Sequence, residues 1–499
     1  MHDVVIVGAG PVGLFLACEL GLAGCSVLVL EKDTEPRSAW KRAPLGTRGL
    51  SAASVEAFYR RGMLAPVLEA AGIPYDPDGD PAPPQAHGHF AGMMINPGDV
   101  DLPALPFRLP SPANQQAVVN LEAVETLLAV RAAELGVEIR RGVAVSDVTQ
   151  DEDGVVARAG GQEHRARWLV GCDGGHSAVR KLAGFEFVGT GPRFTGYIAQ
   201  VDLDDPGLLK PWFNLTPTGM YLTMPGGGIG MMDFDGGTFD RSQELTREHL
   251  QDVLRRVSGT DVAITEVHLA STYTDRAMQT STYRRGRVLL AGDAAHIHSP
   301  LGGQGLNTGL GDAVNLGWKL ATVVHGDASY ELLDSYERER HPIGAWVLEW
   351  TRAQVAAMGP DLHSQAAQGV LRDLIATRDG ATYVYGKMSG GWIRHDVGEE
   401  HPLTGRDAPD FRLEDGTRLA GLMRDGRGVL LDFSRDEVLR DVASRWKAQV
   451  HYAAGTAKDD LGLTAVLVRP DGIVAWAGSG PGDPQSIERA AARWFGKAF

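Results

Sequence analysis

Three stretches of this chain carry residue types at spacings that could do chemistry. The first is Gly8-Ala9-Gly10-Pro11-Val12-Gly13, set between the apolar run DVVIV (3–7) and a helical pattern over 11–24. In a strand–turn–helix, Gly8 permits the tight turn and Gly10 lets the backbone approach a pyrophosphate. Gly13 lets helix and strand pack closely, and the helix N-terminus then faces the phosphates. Glu31, followed by Lys32, closes the second apolar run SVLVL (26–30), 23 residues after Gly8. A carboxylate there can accept hydrogen bonds from both hydroxyls of a ribose. This is a dinucleotide grip, which by itself does not separate FAD from NAD.

The second stretch makes that separation. A strand-like run RVLLA (287–291) ends at Gly292, and Asp293 can accept hydrogen bonds from the ribityl chain of a flavin. Pro300 and the run Gly302-Gly303-Gln304-Gly305-Leu306-Asn307 lie just before a helical pattern. Backbone N–H groups and the positive helix end there would stabilise negative charge on the N1–C2=O edge of a reduced flavin. Three glycines in four residues cost conformational entropy, which close approach to a ligand would offset. The third stretch, Gly171-Cys172-Asp173-Gly174 through Arg180, reads as strand, acidic turn and helix start, with Ser177 as the helix cap. Alone it is an ordinary strand-to-helix turn.

The elements that must position these motifs can be read coarsely. The opening is βαβ, and a helix follows near 121–135 and a buried strand at 165–171. From 185 to 285 short alternating strands predict an antiparallel layer. Helical sequence dominates 307–375, and the Gly-, Pro- and charge-rich stretch 389–410 reads as a linker. Beyond it lies an α/β unit of about a hundred residues. The expected fold class is α/β: a Rossmann-like FAD-binding domain formed by 1–184 and 286–390, and an antiparallel β-sheet substrate domain over 185–285. Residues from about 75–115 contribute to that second domain, and 391–499 form a third.

Composition bounds the rest. The 499 residues are 43% hydrophobic and 22% charged, enough for a large core without disulfides or metals. A net charge of −15 argues against nucleic acid or an anionic membrane surface as the main partner. Cys18, Cys25 and Cys172 form no CxxC or metal-ligand spacing, consistent with a cytoplasmic location. No apolar run reaches the ~20 residues that span a bilayer.

With its three signatures in this order, the chain resembles the single-component flavoprotein aromatic hydroxylases. The tail GDAAHIHSPLGGQGLNTGLGDAVNLGWKLA and the later LLDSYERERHP (332–342) carry most of that likeness, which covers residues 1–375. The C-terminal unit, with LVRPDGIVAW at 467–476, resembles the thioredoxin-like appendage of phenol hydroxylase and of bacterial polyketide and antibiotic hydroxylases. Lacking CxxC, it is expected to be structural rather than redox-active. The resemblance implies FAD as cofactor, NADPH or NADH as transient reductant without a Rossmann domain of its own, and O2 as co-substrate. It further implies hydroxylation of an aromatic, polyketide-like compound through a flavin C4a-hydroperoxide. Oxygen insertion into a polycyclic ketone (Baeyer–Villiger) and a non-oxygenating flavin-bearing binding protein are the alternatives. A homodimer is the oligomeric option.

By the same resemblance Glu31 binds the adenosine ribose, Arg42 lies beside the flavin, and Asp173 and Gly292-Asp293 join the cofactor site. Pro300, Gly303, Gly305, Leu306 and Asn307 wall the isoalloxazine. A glutamine common before the helix at 122–135 is replaced here by Leu121 or Asn120, Gln115 and Gln116 being out of register. Among smaller features, Met220, Tyr221, Met224, Met232 and Phe234 are candidates for a substrate pocket, with core packing as the alternative. His296 and His298 form an HxH pair without further ligands, so no metal is assigned. The ERER run at 337–340 reads as a solvated helix face.

Overall fold

The computed structural model describes residues 1–75, 88–480 and 484–496. The expected contribution from 75–115 therefore lies partly outside the described residues. His2–Val7 is the middle of a sheet, hydrogen-bonded in parallel to Gln162–Gly171 on one side and Val27–Leu30 on the other. Glu138–Arg140 and Val288–Leu290 extend it in parallel at either end. The central strands are continuous apolar runs because both faces are covered: Val4, Val5 and Ile6 are almost wholly buried. Helix Pro11–Leu22 packs against helix Gln304–His325 on one face. Small residues allow the approach: a Cβ on Gly317 would stand 2.4 Å from Glu19 Cβ.

A second sheet is antiparallel throughout, in the order Trp212–Thr216, Gly219–Met224, Gly228–Asp233, Thr195–Leu203, Ile264–Thr274. Alternation splits its residues between two faces. One face lies under helix Arg247–Ser258, where Tyr197, Tyr221, Ile229 and Met231 meet Leu250, Val253 and Val257. The other gathers Met220, Met232, Phe213 and Phe234 with Phe90, Met93, Leu301 and Trp350. This corrects the expected pocket set. Tyr221 faces the opposite way and its hydroxyl accepts from the Lys210 N–H at 3.2 Å. Met224 sits at a strand end beside Gly228 and Pro44, outside the apolar cluster of Met220 and Met232.

The C-terminal sheet runs Val450–Ala454, Gly428–Asp432, Ala465–Val468, Val474–Gly478, with the first pair parallel and the others antiparallel. It is joined to the rest by buried charge. Arg469 bonds both carboxylate oxygens of Glu339 at 2.8 Å and also Asp471, while Lys319 and Asn315 reach the same carboxylate. Arg61 pairs with Glu19 through two 2.7 Å bonds and donates to the carbonyls of Met423 and Pro470. Two expectations change here. The ERER run is not a solvated face, because Glu339 and Arg340 are buried, 5% and 4% exposed. The stretch 389–410 is not a free linker: Leu403 and Ala408 are buried, and the Gly405 and Ala408 N–H groups donate to Val474 and Gly472.

Candidate cofactor site

The three motifs converge through their small residues. Gly8 adopts φ +108°, and a Cβ there would stand 2.4 Å from the Cys172 carbonyl oxygen. One on Gly13 would meet the Gly8 carbonyl at 2.1 Å, so the first turn closes directly onto the Gly171–Gly174 turn. Val12 packs between Gly292 and Gly309, where added Cβ atoms would lie 3.1 and 2.6 Å from its methyls. Arg180 donates to the carbonyls of Ala294 and Gly175, tying the third motif to the second. Asp173 is spent differently from the expectation. Its carboxylate accepts from Ser177 Oγ and from the Ala178 and Val179 N–H groups, capping the short helix Ala178–Leu182. Ser177 caps the same helix, as expected, by accepting from Arg180 N–H.

Around this junction lie groups left open by the protein itself. The helices starting at Pro11 and Gln304 have no side-chain cap among the described residues and no acidic residue in their first turns. Added Cβ atoms on Gly10 and Gly303 would meet nothing within 4 Å. Internal packing therefore does not require glycine at Gly10, whereas a ligand backing onto the turn would. Glu31 is fixed by the N–H groups of Ala9 at 2.7 Å and Asp33 at 2.9 Å, and Lys32 is exposed. Asp293 is exposed between buried neighbours. Uncapped positive helix ends, an open glycine turn, a carboxylate positioned for a ribose and a second for a polyol chain match the donor and acceptor needs of FAD.

Strand Thr47–Leu50 pairs with Ala117–Asn120, and the Leu121 N–H donates to Gly46. The backbone donor of Leu121 is thus already used. Arg42 is bonded to Glu122 at 2.9 Å. Arg48, which the motifs did not reveal, donates to the Leu45 and Thr47 carbonyls and lies within electrostatic range of Asp293.

Asn307 acts as a brace. Its side-chain oxygen accepts from Ser51 N–H at 2.8 Å and Ser54 Oγ at 2.7 Å, and its amide donates to Gly49 and Gly303 carbonyls. Behind it, fully buried Asp312 accepts from Gly292 N–H, His296 Nε2 and Arg340 Nε. Burial alone would raise that carboxyl, but Arg340 and His296 outweigh it and hold it below its ordinary value. His296 is accordingly a clasp for the loop. His298 bonds the Ser299 carbonyl and stands with Asp293 beside Gly305, its basicity lowered by burial.

Comparison with known proteins agrees with this geometry. Residues 1–351 match the family model described as FAD binding domain, and residues 401–498 match the aromatic-ring hydroxylase C-terminal family. The chain belongs to the FAD-binding aromatic-ring hydroxylases. It is 46% identical to a monooxygenase of Claviceps purpurea, over 99% of this chain and 97% of that protein. It is 39% identical to a 12-dehydrotetracycline 5-monooxygenase/anhydrotetracycline 6-monooxygenase of Streptomyces rimosus, over 99% of each. The solved structure of an anhydrotetracycline hydroxylase from Streptomyces rimosus superposes with a TM-score of 0.88 at 37% identity, covering 100% of both chains. As a member of this family the protein is an FAD-dependent monooxygenase.

Beyond the glycine motifs, the structure sets Ser51, Ser54, Asp312 and Arg340 as braces around the Gly292–Asn307 segment, with Arg48 nearby. Arg48 and the two serines carry no motif. Asp312 had a signal, since a carboxylate on the buried side of an otherwise apolar helix calls for a partner.

Proposed function

We propose that this monooxygenase hydroxylates a polycyclic, polyketide-like aromatic, using NADPH or NADH as reductant and O2 as co-substrate. One observation carries the reading. Leu301, inside the Pro300–Asn307 loop, shares a single apolar cluster with Met220, Met232, Phe234 and Phe90, so the second sheet presents an apolar face directly to the loop. Large apolar faces lined by methionine and aromatic side chains accommodate planar ring systems. The relatedness to tetracycline-pathway enzymes supports the same substrate class.

Bound FAD supplies the oxygen activation, and the chain supplies placement. Glu31 holds the adenosine ribose, Gly10 and the first turn of helix Pro11–Leu22 take the pyrophosphate, and Asp293 with Arg48 frames the ribityl chain. The uncapped first turn of helix Gln304–His325 favours negative charge on the flavin pyrimidine edge. The sheet face excludes water from the reacting ring. The C-terminal unit, thioredoxin-like in this reading, serves as a brace rather than a redox centre. Among the described residues no helix is long and apolar enough to cross a membrane. A cytoplasmic enzyme acting on small molecules, as a homodimer, completes the proposal.

The test is a screen of polycyclic phenols and quinones for stimulated NADPH oxidation, with product masses under 18O2. A phenol carrying one labelled oxygen is expected. A ring-expanded lactone would instead establish Baeyer–Villiger chemistry, and an unlabelled product would remove oxygenation altogether.

A further inference from the structure

Buried polar groups in folded proteins are nearly all hydrogen-bonded, so those that are not ask for an explanation. Two stand together beside the cofactor loop. Gln354, with no exposed surface, and Trp350, 8% exposed, lie one turn apart on helix Glu331–Ala357. Gln354 Nε2 and Trp350 Nε1 are both shielded from water and have no hydrogen-bond partner among the described residues. They converge: a Cβ placed on Gly302 would stand 3.4 Å from the amide nitrogen and 3.9 Å from the indole nitrogen, with the amide oxygen at 3.8 Å.

The orientation of the amide is settled by its other end. Gln354 Oε1 accepts the Ala91 N–H at 2.9 Å, so that atom is the oxygen and the NH2 group is the end of the amide nearer Gly302. The Ala91 bond clasps the tip of the hairpin formed by His89–Phe90 and Met93–Met94, where Ala91 itself has φ +52°. That role accounts for the oxygen only. Leaving two donors dry in an apolar cluster is unfavourable unless something else accepts from them. Trp350 belongs to the same cluster as Leu301, Met220 and Met232, which also holds Met93, Met358 and Met388. Methionine side chains repack readily, so this cluster can open around a flat ring.

We propose that Gln354 Nε2 and Trp350 Nε1 form a paired donor site for one oxygen of the substrate, a ring carbonyl. This rests on the polycyclic-aromatic reading above and narrows it. The site selects arenes bearing an acceptor-only oxygen and orients them by that oxygen against the Gly302 turn. Both residues are specificity-determining, and neither donates or removes a proton in the reaction.

The test uses the FAD-loaded full chain and two flat probes, 1-hydroxyanthraquinone and 1-hydroxyanthracene, titrated by the change in flavin absorbance. Gln354→Met removes the amide donor, and Trp350→Phe removes the indole N–H while keeping a ring. Wild type is expected to prefer the quinone by about tenfold or more, and each variant to lose most of that preference with FAD content unchanged. A preference left intact in both variants would overturn the proposal. So would equal weakening of both probes, which marks a packing role. A wild-type flavin spectrum that responds to neither probe would sink the polycyclic-substrate reading itself, by a different readout.

Discussion

Arg469 and Glu339 meet through two parallel 2.8 Å hydrogen bonds across 130 residues of chain, with both side chains all but withdrawn from water. Replacing Arg469 by Met would leave the Glu339 and Asp471 carboxylates buried with only Lys319 to compensate them. Uncompensated buried charge costs about 3–5 kcal/mol, and an apolar replacement of both partners costs much less. Arg469→Met is therefore expected to lower unfolding stability by that amount, and the Arg469→Met/Glu339→Met pair to recover part of it. Denaturant titration checks both, and a single variant within about 1 kcal/mol of wild type would refute the account.

Gly10 and Gly13 are both glycines of one motif, but substitution should separate them. A methyl on Gly13 would press on the Gly8 carbonyl, and such overpacking against backbone costs about 1–3 kcal/mol or more. A methyl on Gly10 meets nothing in the protein. Gly10→Ala is expected to fold with a normal apoprotein Tm while losing bound FAD, whereas Gly13→Ala loses stability and FAD together. Flavin absorbance and differential scanning calorimetry of the apoprotein distinguish the two.

Asn307→Ala removes four hydrogen bonds at once and orphans the Ser51 N–H. A cost of about 1–3 kcal/mol follows from leaving such groups unpaired. Because the brace holds Thr47–Leu50 against the loop, FAD affinity should fall as well. Asn307→Asp keeps the acceptor but sets a carboxylate against the Gly49 and Gly303 carbonyls. It is expected to bind FAD more weakly than wild type and to lower the flavin midpoint potential. An unchanged potential would show that the side chain does not act on the flavin.

Burial pushes His89 down to about 4 from its ordinary 6.5, with Gly92 N–H donating to its Nδ1. The folded state then binds fewer protons than the unfolded one between these values. Stability is fully present above about pH 6.5 and is lost as pH falls through about 4, by on the order of 3 kcal/mol. Glu56 works in the opposite window. Burial raises its carboxyl to about 8, so its contribution is present below 4.5 and lost as pH rises through 8. His89→Gln should flatten the acid limb and leave the alkaline one; identical acid limbs in variant and wild type would contradict this.

Several features were legible in sequence for local reasons. A parallel strand covered on both faces is a continuous apolar run, and 3–7, 26–30, 165–171 and 287–291 all read correctly. The face carrying Tyr221 was also legible in principle. A period of two along 219–224 puts it on the opposite face from Met220, whatever their shared composition. The charges at 337–340 were different. Four charged residues in a row on a helix look solvated, and nothing nearby announces that Arg469 arrives to neutralise Glu339 and Asp312 to hold Arg340. Asp173 was visible as a motif residue, but only the helix it caps decides where its carboxylate is spent.

The sequence alone determined that the chain binds FAD through a dinucleotide-type glycine turn and belongs with the aromatic-ring hydroxylases. Those signals are backbone requirements, tight turns and uncapped helix starts, which a few adjacent residues encode completely. Tertiary structure alone decided that Asn307 braces Gly49 and Ser51, that the second sheet shows Met220 and not Tyr221 to the loop, and that Gln354 and Trp350 keep two donors unpaired beside Gly302. Burial and pairing are made by segments hundreds of residues apart, and no local pattern records which of them meet.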